Sequence, residues 1–460
     1  MPNKLLMIQS YMGRNQPVSF PIALASLAPY LQDRYELNGF DPNVYPNPEE
    51  ELHLRLKSFN PDIIAVSLRN IDTTNIFDPH IYYKGFLATI KGIREINRDI
   101  PLIVGGAGFS LFAQRILIDN PQIDFGVYLE GEETFPELLE NLNDPSKVKG
   151  IYCRDNGNIV FTGTRDLVSL EDAPLPKWDL FDVDRYRAYP FPFGIETKRG
   201  CAFHCVYCSY FVLHGKKIRC KRPERVVEEI SELRRRHSVK HICFLDSVFN
   251  VPDEHAMAVL KLMKKEVSDV KWLGYVSEKG ITAEFARLAM ETGLRVFVFS
   301  LDAFTDKCLK LMGKDTTVKG VNQAIDILKN TPRAEIGFNF FVNGPGYTYG
   351  TLAALFWFLI KTKLKFRNRF RLLKVKFGYI RIEPGTPIYR SALQNGDIPA
   401  DLDILPLTSK GYTQFFFLNK NLWLFNYIFI SFKKVTRRII TALKKGLRTI
   451  LPPPKHPDLP

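Results

Sequence analysis

Three cysteines stand within eight residues of one another in the stretch RGCAFHCVYCSYF, and this spacing strongly restricts how the chain can fold. Cys201, Cys205 and Cys208 are too close together for an even framework of disulfides, and the total of seven cysteines is odd. A C-x3-C-x2-C spacing lets one short loop place three thiolates round a face of a cuboidal iron–sulfur cluster. The loop therefore predicts a [4Fe-4S] cluster whose fourth iron is open to a substrate or cofactor.

The same cysteines allow two other uses. The three cysteines can coordinate zinc together with His204 or Cys220, although structural zinc is typically held by two separated pairs of ligands. His204 can also be a ligand of the cluster, but a loop position without a ligand role is the simpler interpretation. The spacing favours the three-cysteine cluster over both alternatives.

Ahead of the cysteines, strand-like and helical patterns alternate, which predicts a doubly wound parallel α/β sheet. The helical pattern is clearest over residues 21–35, and the strand candidates are residues 4–10, 35–41, 62–69, 100–106 and 123–131. Such a sheet binds ligands at the carboxyl ends of its strands. Those ends carry Ser67, Arg69, Gly105, Gly106 and Gly131. The two adjacent glycines allow close approach of a ligand to the backbone, or they are simple turn residues.

A strand pattern that runs into the cysteine loop and five more behind it alternate with helices, which predicts a full or partial (β/α) barrel. A hairpin over residues 151–163, with its turn at Asn156–Gly157, and a Pro-rich linker over 170–194 precede it. We expect four parts: an α/β domain, a hairpin with linker, a barrel, and a helical extension, over residues 1–145, 146–192, 193–400 and 401–460.

The net charge of +14 is concentrated at the C-terminus, where the last fifty residues carry nine Lys and Arg against one Asp. Residues 412–432 are aromatic but too polar for a good transmembrane span. The segment that follows predicts a basic amphipathic helix with Val435, Ile439, Leu443, Leu447 and Ile450 on one face. Residues 412–451 can contact an anionic membrane, bind a partner or cap the barrel; nucleic acid is disfavoured, since no binding module is present.

The N-terminus has no signal-peptide pattern. We expect a cytoplasmic protein, with peripheral contact at the inner face of the membrane as the further expectation.

The motif C-x3-C-x-aromatic-C, with Tyr207 as its aromatic residue, resembles the signature of the radical S-adenosylmethionine (SAM) enzymes. The resemblance implies that SAM chelates the open iron and is cleaved to methionine and a 5′-deoxyadenosyl radical by one electron, supplied by a donor such as flavodoxin or ferredoxin. It places the Tyr207 backbone near adenine. It places the methionine amino group near Asp246 and Ser247, and ribose or carboxylate contacts at Ser300 and Asp302. Strand-end Asp and Ser residues otherwise often act as caps.

A parallel α/β domain ahead of such a barrel resembles the cobalamin-binding subclass, and the segments SLRNID, VGGAG, YLEGEET and RIEPGTPIYRSALQNG extend the resemblance over about residues 1 to 400. No histidine precedes His53, so the histidine of the D-x-H-x-x-G motif is missing and histidine ligation from that loop is excluded. The resemblance places Arg69 under the corrin, where a cation disfavours an axial water. The alternative is an ion pair between Arg69 and an acidic neighbour such as Asp72.

The resemblance implies a methyltransferase that carries a methyl group from SAM through cobalamin to an unactivated carbon of a small molecule. A lipid becomes the favoured substrate if the C-terminal segment binds a membrane. The alternatives are a cyclase, oxidoreductase or rearrangement enzyme on the same barrel, and a non-catalytic carrier of iron–sulfur or cobalamin. A methylthiotransferase is disfavoured, because only Cys153 precedes the motif where an extra cluster needs three cysteines. No catalytic residue stands out.

Overall fold

The N-terminal part of the chain forms one seven-stranded sheet, which confirms the predicted α/β domain. The structure is a computed structural model and describes residues 3–14 and 16–432. The strands, β1 to β7, are Lys4–Gln9, Glu36–Phe40, Ile63–Ser67, Leu102–Gly105, Phe125–Val127, Ile151–Asp155 and Asn158–Phe161. Their order is β2-β1-β3-β4-β5-β6-β7, and the first five are parallel. Every residue of β3 is buried, as expected of a strand covered on both faces.

Six helices accompany the parallel strands of this sheet: α1 (Ile22–Leu27), α2 (Pro48–Phe59), α3 (Tyr82–Ile96), α4 (Ala107–Leu111), α5 (Ala113–Asp119) and α6 (Thr134–Glu140). The helix predicted over residues 21–35 ends early, at Leu27, and continues as a short 3-10 turn. Pro29 has no amide proton to donate to the Ala25 carbonyl. That carbonyl instead accepts a hydrogen bond from Lys177 N, at 2.9 Å.

The predicted hairpin is β6 and β7, and it extends the front sheet. Asn156 and Gly157 have φ angles of 47° and 82°, the left-handed values that a two-residue type I′ turn requires. Because β6 pairs antiparallel with β5, the hairpin forms an edge of this sheet.

The segment predicted as a linker packs firmly between the two halves of the molecule. Its aromatic side chains Trp178 and Tyr186 are buried against Phe20 of the front domain and Phe193 of the barrel. The Tyr186 hydroxyl donates to the buried Asp41 carboxylate at 2.7 Å. The core is consequently continuous from the sheet to the barrel.

Six parallel strands build a partial barrel: β8 (Phe193–Ile195), β11 (His241–Phe244), β12 (Lys271–Leu273), β13 (Val296–Asp302), β14 (Glu335–Phe341) and β15 (Phe370–Gly378). They form two three-stranded sheets, joined by bridges from Trp272 to Leu294 and from Tyr275 to Val298. Two short strands, β9 (Lys198–Arg199) and β10 (Arg219–Cys220), pair beside β8. The helices are α7 (Tyr210–His214), α8 (Pro223–His237), α9 (Asp253–Glu266), α10 (Ala283–Glu291), α11 (Asp306–Leu311), α12 (Val318–Asn330), α13 (Tyr349–Phe366) and α14 (Pro387–Gln394).

The aromatic segment after residue 411 belongs partly to the fold. Tyr412, Phe415 and Phe416 are buried, and Phe416 bridges to Arg381 just beyond β15. Residues 423–432 are helical, and several of their apolar side chains are exposed. The predicted basic amphipathic helix lies outside the described residues. Within the described residues, we find no helix with the length and apolar character needed to cross a membrane.

Candidate cofactor sites

The three cysteines lie on one loop that begins at the carboxyl end of the first barrel strand. Strands β9 and β10 pair at the base of this loop. Cys201 N donates to Gly215 O at 3.2 Å, and Cys208 N donates to Cys205 O at 3.2 Å. All three thiols are free and half-buried. The loop thus places three half-buried cysteines at the face of the barrel where barrel enzymes bind their substrates.

Backbone contacts from two distant helices fix the middle of this loop. Val206 N donates to Met312 O at 3.0 Å, and Ile388 N donates to Val206 O at 2.9 Å. Gly313 has a φ of 68°, and a Cβ atom there would lie 2.1 Å from the His204 carbonyl oxygen. Only glycine lets the end of α11 approach the loop this closely. The His204 side chain is exposed on the outside of the loop.

The residues present fit a cluster held by three thiolates. Burial raises the pKa of Cys205, and it raises the pKa of Cys208 to about 11, so the Cys208 thiol is protonated at neutral pH. Binding to iron removes the proton of a thiol, because the thiolate is the ligand. Tyr210 N already donates to Cys208 Sγ at 3.4 Å. Among the described residues, no group of three His, Cys, Asp or Glu side chains is placed to hold a single metal ion. A cuboidal cluster needs its cysteine sulfurs farther apart than a single ion does.

Three of the predicted SAM-contacting residues meet directly behind the cluster loop. The Tyr207 hydroxyl donates to the Asp302 carboxylate, and Lys314 forms an ion pair with the same carboxylate. Lys314 Nζ also donates to the Ser300 carbonyl at 2.9 Å. Burial would lower the pKa of Lys314, but Asp302 and Cys205 outweigh burial and raise it. Sequence reasoning missed Lys314, because its position, between α11 and α12, shows no motif.

Asp246, which we predict to lie near the methionine amino group of SAM, contacts the end of β8 in the structure. Its buried carboxylate accepts hydrogen bonds from Thr197 N at 2.9 Å and Thr197 Oγ1 at 2.6 Å. It also forms an ion pair with Lys198 Nζ at 3.3 Å. Asp246 therefore joins the ends of β8 and β11 just before the cysteine loop. Ser247 is half-buried in the turn after β11.

A cavity of about 230 Å³ lies between the front sheet and the barrel, and its lining includes every front-domain residue that the sequence singled out: Ser67, Arg69, Gly105, Gly106 and Gly131. The barrel side contributes Glu196, Arg199, His214 and Leu245. Gly106 has a φ of 100°, and a Cβ atom there would lie 2.7 Å from the Leu68 carbonyl oxygen. These small residues leave the strand ends open, as a flat ring such as a corrin requires.

The alternative pairing of Arg69 with Asp72 is wrong. The Asp72 carboxylate accepts hydrogen bonds from the Arg381 guanidinium at 3.0 and 3.2 Å and from the Tyr412 hydroxyl at 2.8 Å. Arg69 is exposed to the cavity and forms no ion pair with another described residue. Its charge is therefore available to whatever fills the cavity.

An ion-pair network joins the front domain to the base of the cysteine loop. The Glu130 carboxylate accepts hydrogen bonds from both terminal nitrogens of Arg219, at 2.7 and 2.8 Å. Arg199 pairs with Glu132 at 2.6 Å and with Glu196 at 2.9 Å. Burial alone would raise the pKa of Glu130, but His214, Arg219 and Arg199 lower it to about 2. We call these five residues (Glu130, Glu132, Glu196, Arg199 and Arg219) the interdomain clamp.

Comparison with known families identifies both parts. The B12 binding domain family matches residues 12–139, and the Radical SAM superfamily matches residues 195–359. The protein belongs to the cobalamin-dependent radical SAM enzymes, which confirms the family predicted from the cysteine motif and the front domain. Its cofactors are a [4Fe-4S] cluster, SAM and cobalamin.

Known proteins resemble the chain over most of its length. An uncharacterized methyltransferase of Pyrococcus horikoshii is 26% identical over 82% of this chain and 79% of its own length. The cytidylyl-2-hydroxyethylphosphonate methyltransferase of Streptomyces wedmorensis is 24% identical over 64% of this chain and 63% of its own length. The structure of the radical SAM methyltransferase TsrM from Kitasatospora setae aligns with a TM-score of 0.78, at 18% identity, over 94% of this chain and 89% of that chain. The structural match establishes a shared fold.

Proposed function

We propose that this enzyme transfers a methyl group to an unactivated carbon of a small molecule. The observation that carries the proposal is that the cobalamin-type cavity and the cysteine loop share one boundary, fixed by the interdomain clamp. When bound, the cofactors supply the methyl group and the radical chemistry that such a transfer needs. Two relatives that are named as methyltransferases support the same reaction.

The chain's own residues hold and orient the groups that react. Cys201, Cys205 and Cys208 are the ligands we assign to the cluster. Arg69 is the residue that we place facing the corrin, where its charge would act on the bound group. Gly105 and Gly106 allow the ring to approach the strand ends. Tyr207, Ser300 and Asp302, held by Lys314, are the residues we assign to SAM contacts, together with Ser247 in the turn after β11.

A second reaction has a specific relative in its favour. The anaerobic magnesium-protoporphyrin IX monomethyl ester cyclase of Synechocystis is 27% identical over 67% of this chain and 62% of its own length. A cyclase or oxidoreductase would remove hydrogen from its substrate and would add no methyl group to it.

Transfer of an isotopic label separates these reactions. The protein would be reconstituted without oxygen, reduced, and incubated with SAM carrying a deuterated methyl group and a metabolite extract. We expect a product that carries the labelled methyl group in mass spectra, absent when Cys205→Ala replaces the wild type. A product that has lost hydrogen and carries no label would support the cyclase reaction and contradict methyl transfer.

We further propose that the protein acts beside an anionic membrane and takes a lipid-like substrate. Trp423 and Tyr427, on the helical residues 423–432, are 69% and 71% exposed, and the basic run that begins with Lys433 follows them directly in sequence. Exposed aromatic residues beside basic ones suit the headgroup region of a membrane. Because residues 412–422 contribute to the core, the proposed contact surface begins at Trp423.

The reductant that we propose is a flavodoxin or ferredoxin, since cleavage of SAM consumes one electron. Replacing the chemical reductant with flavodoxin and its reductase tests this. We expect 5′-deoxyadenosine to form at a comparable rate. Formation of 5′-deoxyadenosine with the chemical reductant, but not with flavodoxin and its reductase, would contradict the proposal.

A further inference from the structure

A second cavity, of about 180 Å³, lies where the front domain, the cysteine loop and the end of the barrel meet. Arg69 lines this cavity and also the larger one beside the front sheet. Ser209, which follows Cys208, forms another wall, and Glu383 closes the cavity from the segment after β15. The cavity therefore borders both the cobalamin-type cavity and the cluster loop.

Glu383 is the acidic group in this cavity that lacks a hydrogen-bond donor. Its side chain is 15% exposed, and no described residue donates a hydrogen bond to its carboxylate. Arg381 forms an ion pair with this carboxylate, but its Nε lies 3.7 Å from Glu383 Oε1, beyond hydrogen-bond distance. The donors of Arg381 point instead to Asp72 and to the carbonyls of Ile382 and Ile404.

An acidic group that is buried without a donor is costly unless a ligand supplies one. Burial raises the pKa of Glu383 to about 7, with Arg381 opposing this rise and Asp72 adding to it. A cationic ligand would restore the ionised carboxylate and satisfy it.

The backbone holds Glu383 in a fixed position relative to the cluster loop. The Thr386 hydroxyl donates to the Glu383 carbonyl at 2.7 Å, and Thr386 caps α14. Two residues later, Ile388 N donates to the Val206 carbonyl between Cys205 and Cys208. A group bound to Glu383 would therefore be held at a set distance from the cluster.

We propose that this cavity binds the amine-bearing end of the substrate, with Glu383 accepting hydrogen bonds from a protonated amine. The inference rests on the proposed function, since it assumes that the substrate reacts between the two cofactors. The cavity is smaller than the 300–1,000 Å³ typical of ligand pockets, so it holds only one end of the substrate. The rest of the substrate, lipid-like or not, would extend out of this cavity between the cobalamin-type cavity and the cluster loop, both of which it borders.

Binding of small probes tests this without relying on turnover. The binding of n-propylamine and of the neutral n-propanol would be measured by ligand-observed NMR with the reconstituted full-length protein, for the wild type and Glu383→Gln. We expect the wild type to prefer the amine, and Glu383→Gln to lose about tenfold in amine affinity while propanol binding stays unchanged. Glu383→Asp, which keeps the charge on a shorter side chain, should lose less.

Glu254→Gln is the matched control, since Glu254 is an exposed carboxylate at the start of α9. It should bind the amine as the wild type does. Absorption spectra of cobalamin and cluster verify that each variant is folded and loaded. Equal affinity of the wild type for amine and alcohol, or an unchanged amine affinity in Glu383→Gln, would overturn the inference. Failure of the methyl-label assay would instead reject the proposed reaction and leave the amine site to be judged by the NMR result.

Discussion

At the scale of single residues, Gly313 determines whether the cysteine loop keeps its shape. In Gly313→Ala the new Cβ atom would meet the His204 carbonyl, at a φ of 68°, so the loop must move. We expect the variant to retain markedly less iron and sulfide per chain than the wild type after reconstitution.

Gly396→Ala is the control for Gly313→Ala. Its φ is 64°, but no atom lies within 4 Å of the added Cβ. It should lose about 1 kcal/mol of stability from backbone strain alone and keep its cluster. Equal iron content in the two variants would show that the close approach at Gly313 does not shape the loop.

Lys314 is the second residue whose role is open to a direct test. In Lys314→Met the buried Asp302 carboxylate would lose its cation, and breaking a buried pair typically costs about 3–5 kcal/mol. Lys279→Met removes an exposed ion pair with Asp315 and should cost at most about 1 kcal/mol. Urea unfolding of both variants measures the difference, and similar free energies of unfolding would contradict this role for Lys314.

The residues that sequence could predict are those that stand in a short motif or at a strand end. Cys201, Cys205 and Cys208 follow from their spacing, and Arg69 follows from its place after β3. Lys314 and Glu383 could not be predicted in the same way. Each lies more than 100 positions from the cysteine loop in sequence, and only the folded barrel brings it near that loop.

At the scale of elements, the interdomain clamp makes stability depend on pH. The pKa of Glu130 is lowered from 4.5 to about 2, so its ionised form is favoured in the folded protein by about 3 kcal/mol. This stabilisation is complete above the unfolded pKa and is lost as the pH falls through about 2. We expect Glu130→Gln to be less stable than the wild type by this amount at pH 7, with the difference shrinking below about pH 4.5.

Chemical unfolding of both proteins between pH 7 and pH 3 measures this difference. Glu133→Gln is a suitable control, because Glu133 is exposed on the same loop and lies 3.5 Å from Arg165 rather than in the clamp. A difference between wild type and Glu130→Gln that stays constant across this range would contradict the lowered pKa.

Sequence periodicity located most elements, because parallel strands and their covering helices have clear apolar patterns. Periodicity failed to predict an element where a single residue or a distant contact determines its end or its place in the fold. Pro29 ends α1 early. The hairpin joins the front sheet because β6 pairs with the edge of β5. The segment around Trp178 has no periodicity, yet aromatic packing on both domains gives it a fixed place.

At the scale of the whole molecule, the two domains form one unit that positions two cofactor sites. The interdomain clamp, the contact of Tyr186 with Asp41, and the buried pair of Asp72 with Arg381 each span the boundary. Domain boundaries in the sequence indicate where each part begins, but such contacts arise only from the packing of one part on the other.

The proposed membrane contact is also a property of the whole chain. A protein that ends at Phe432, and a full-length variant with Trp423→Ser and Tyr427→Ser, would be compared with the wild type. We expect both to sediment less with vesicles of anionic lipid and to keep their cofactors, since the changed residues are exposed or lie beyond the described fold. Unchanged sedimentation of both would contradict the contact.

The measurement that tests the central claim most directly is the cofactor content of one chain. The protein would be produced with cobalamin, purified without oxygen, reconstituted with iron and sulfide, and desalted before its absorption spectrum and iron content are recorded. The two-cofactor account predicts about one corrin and about four irons per chain. Cluster absorption with no retained corrin would contradict it, and would leave a radical enzyme whose front domain binds another group.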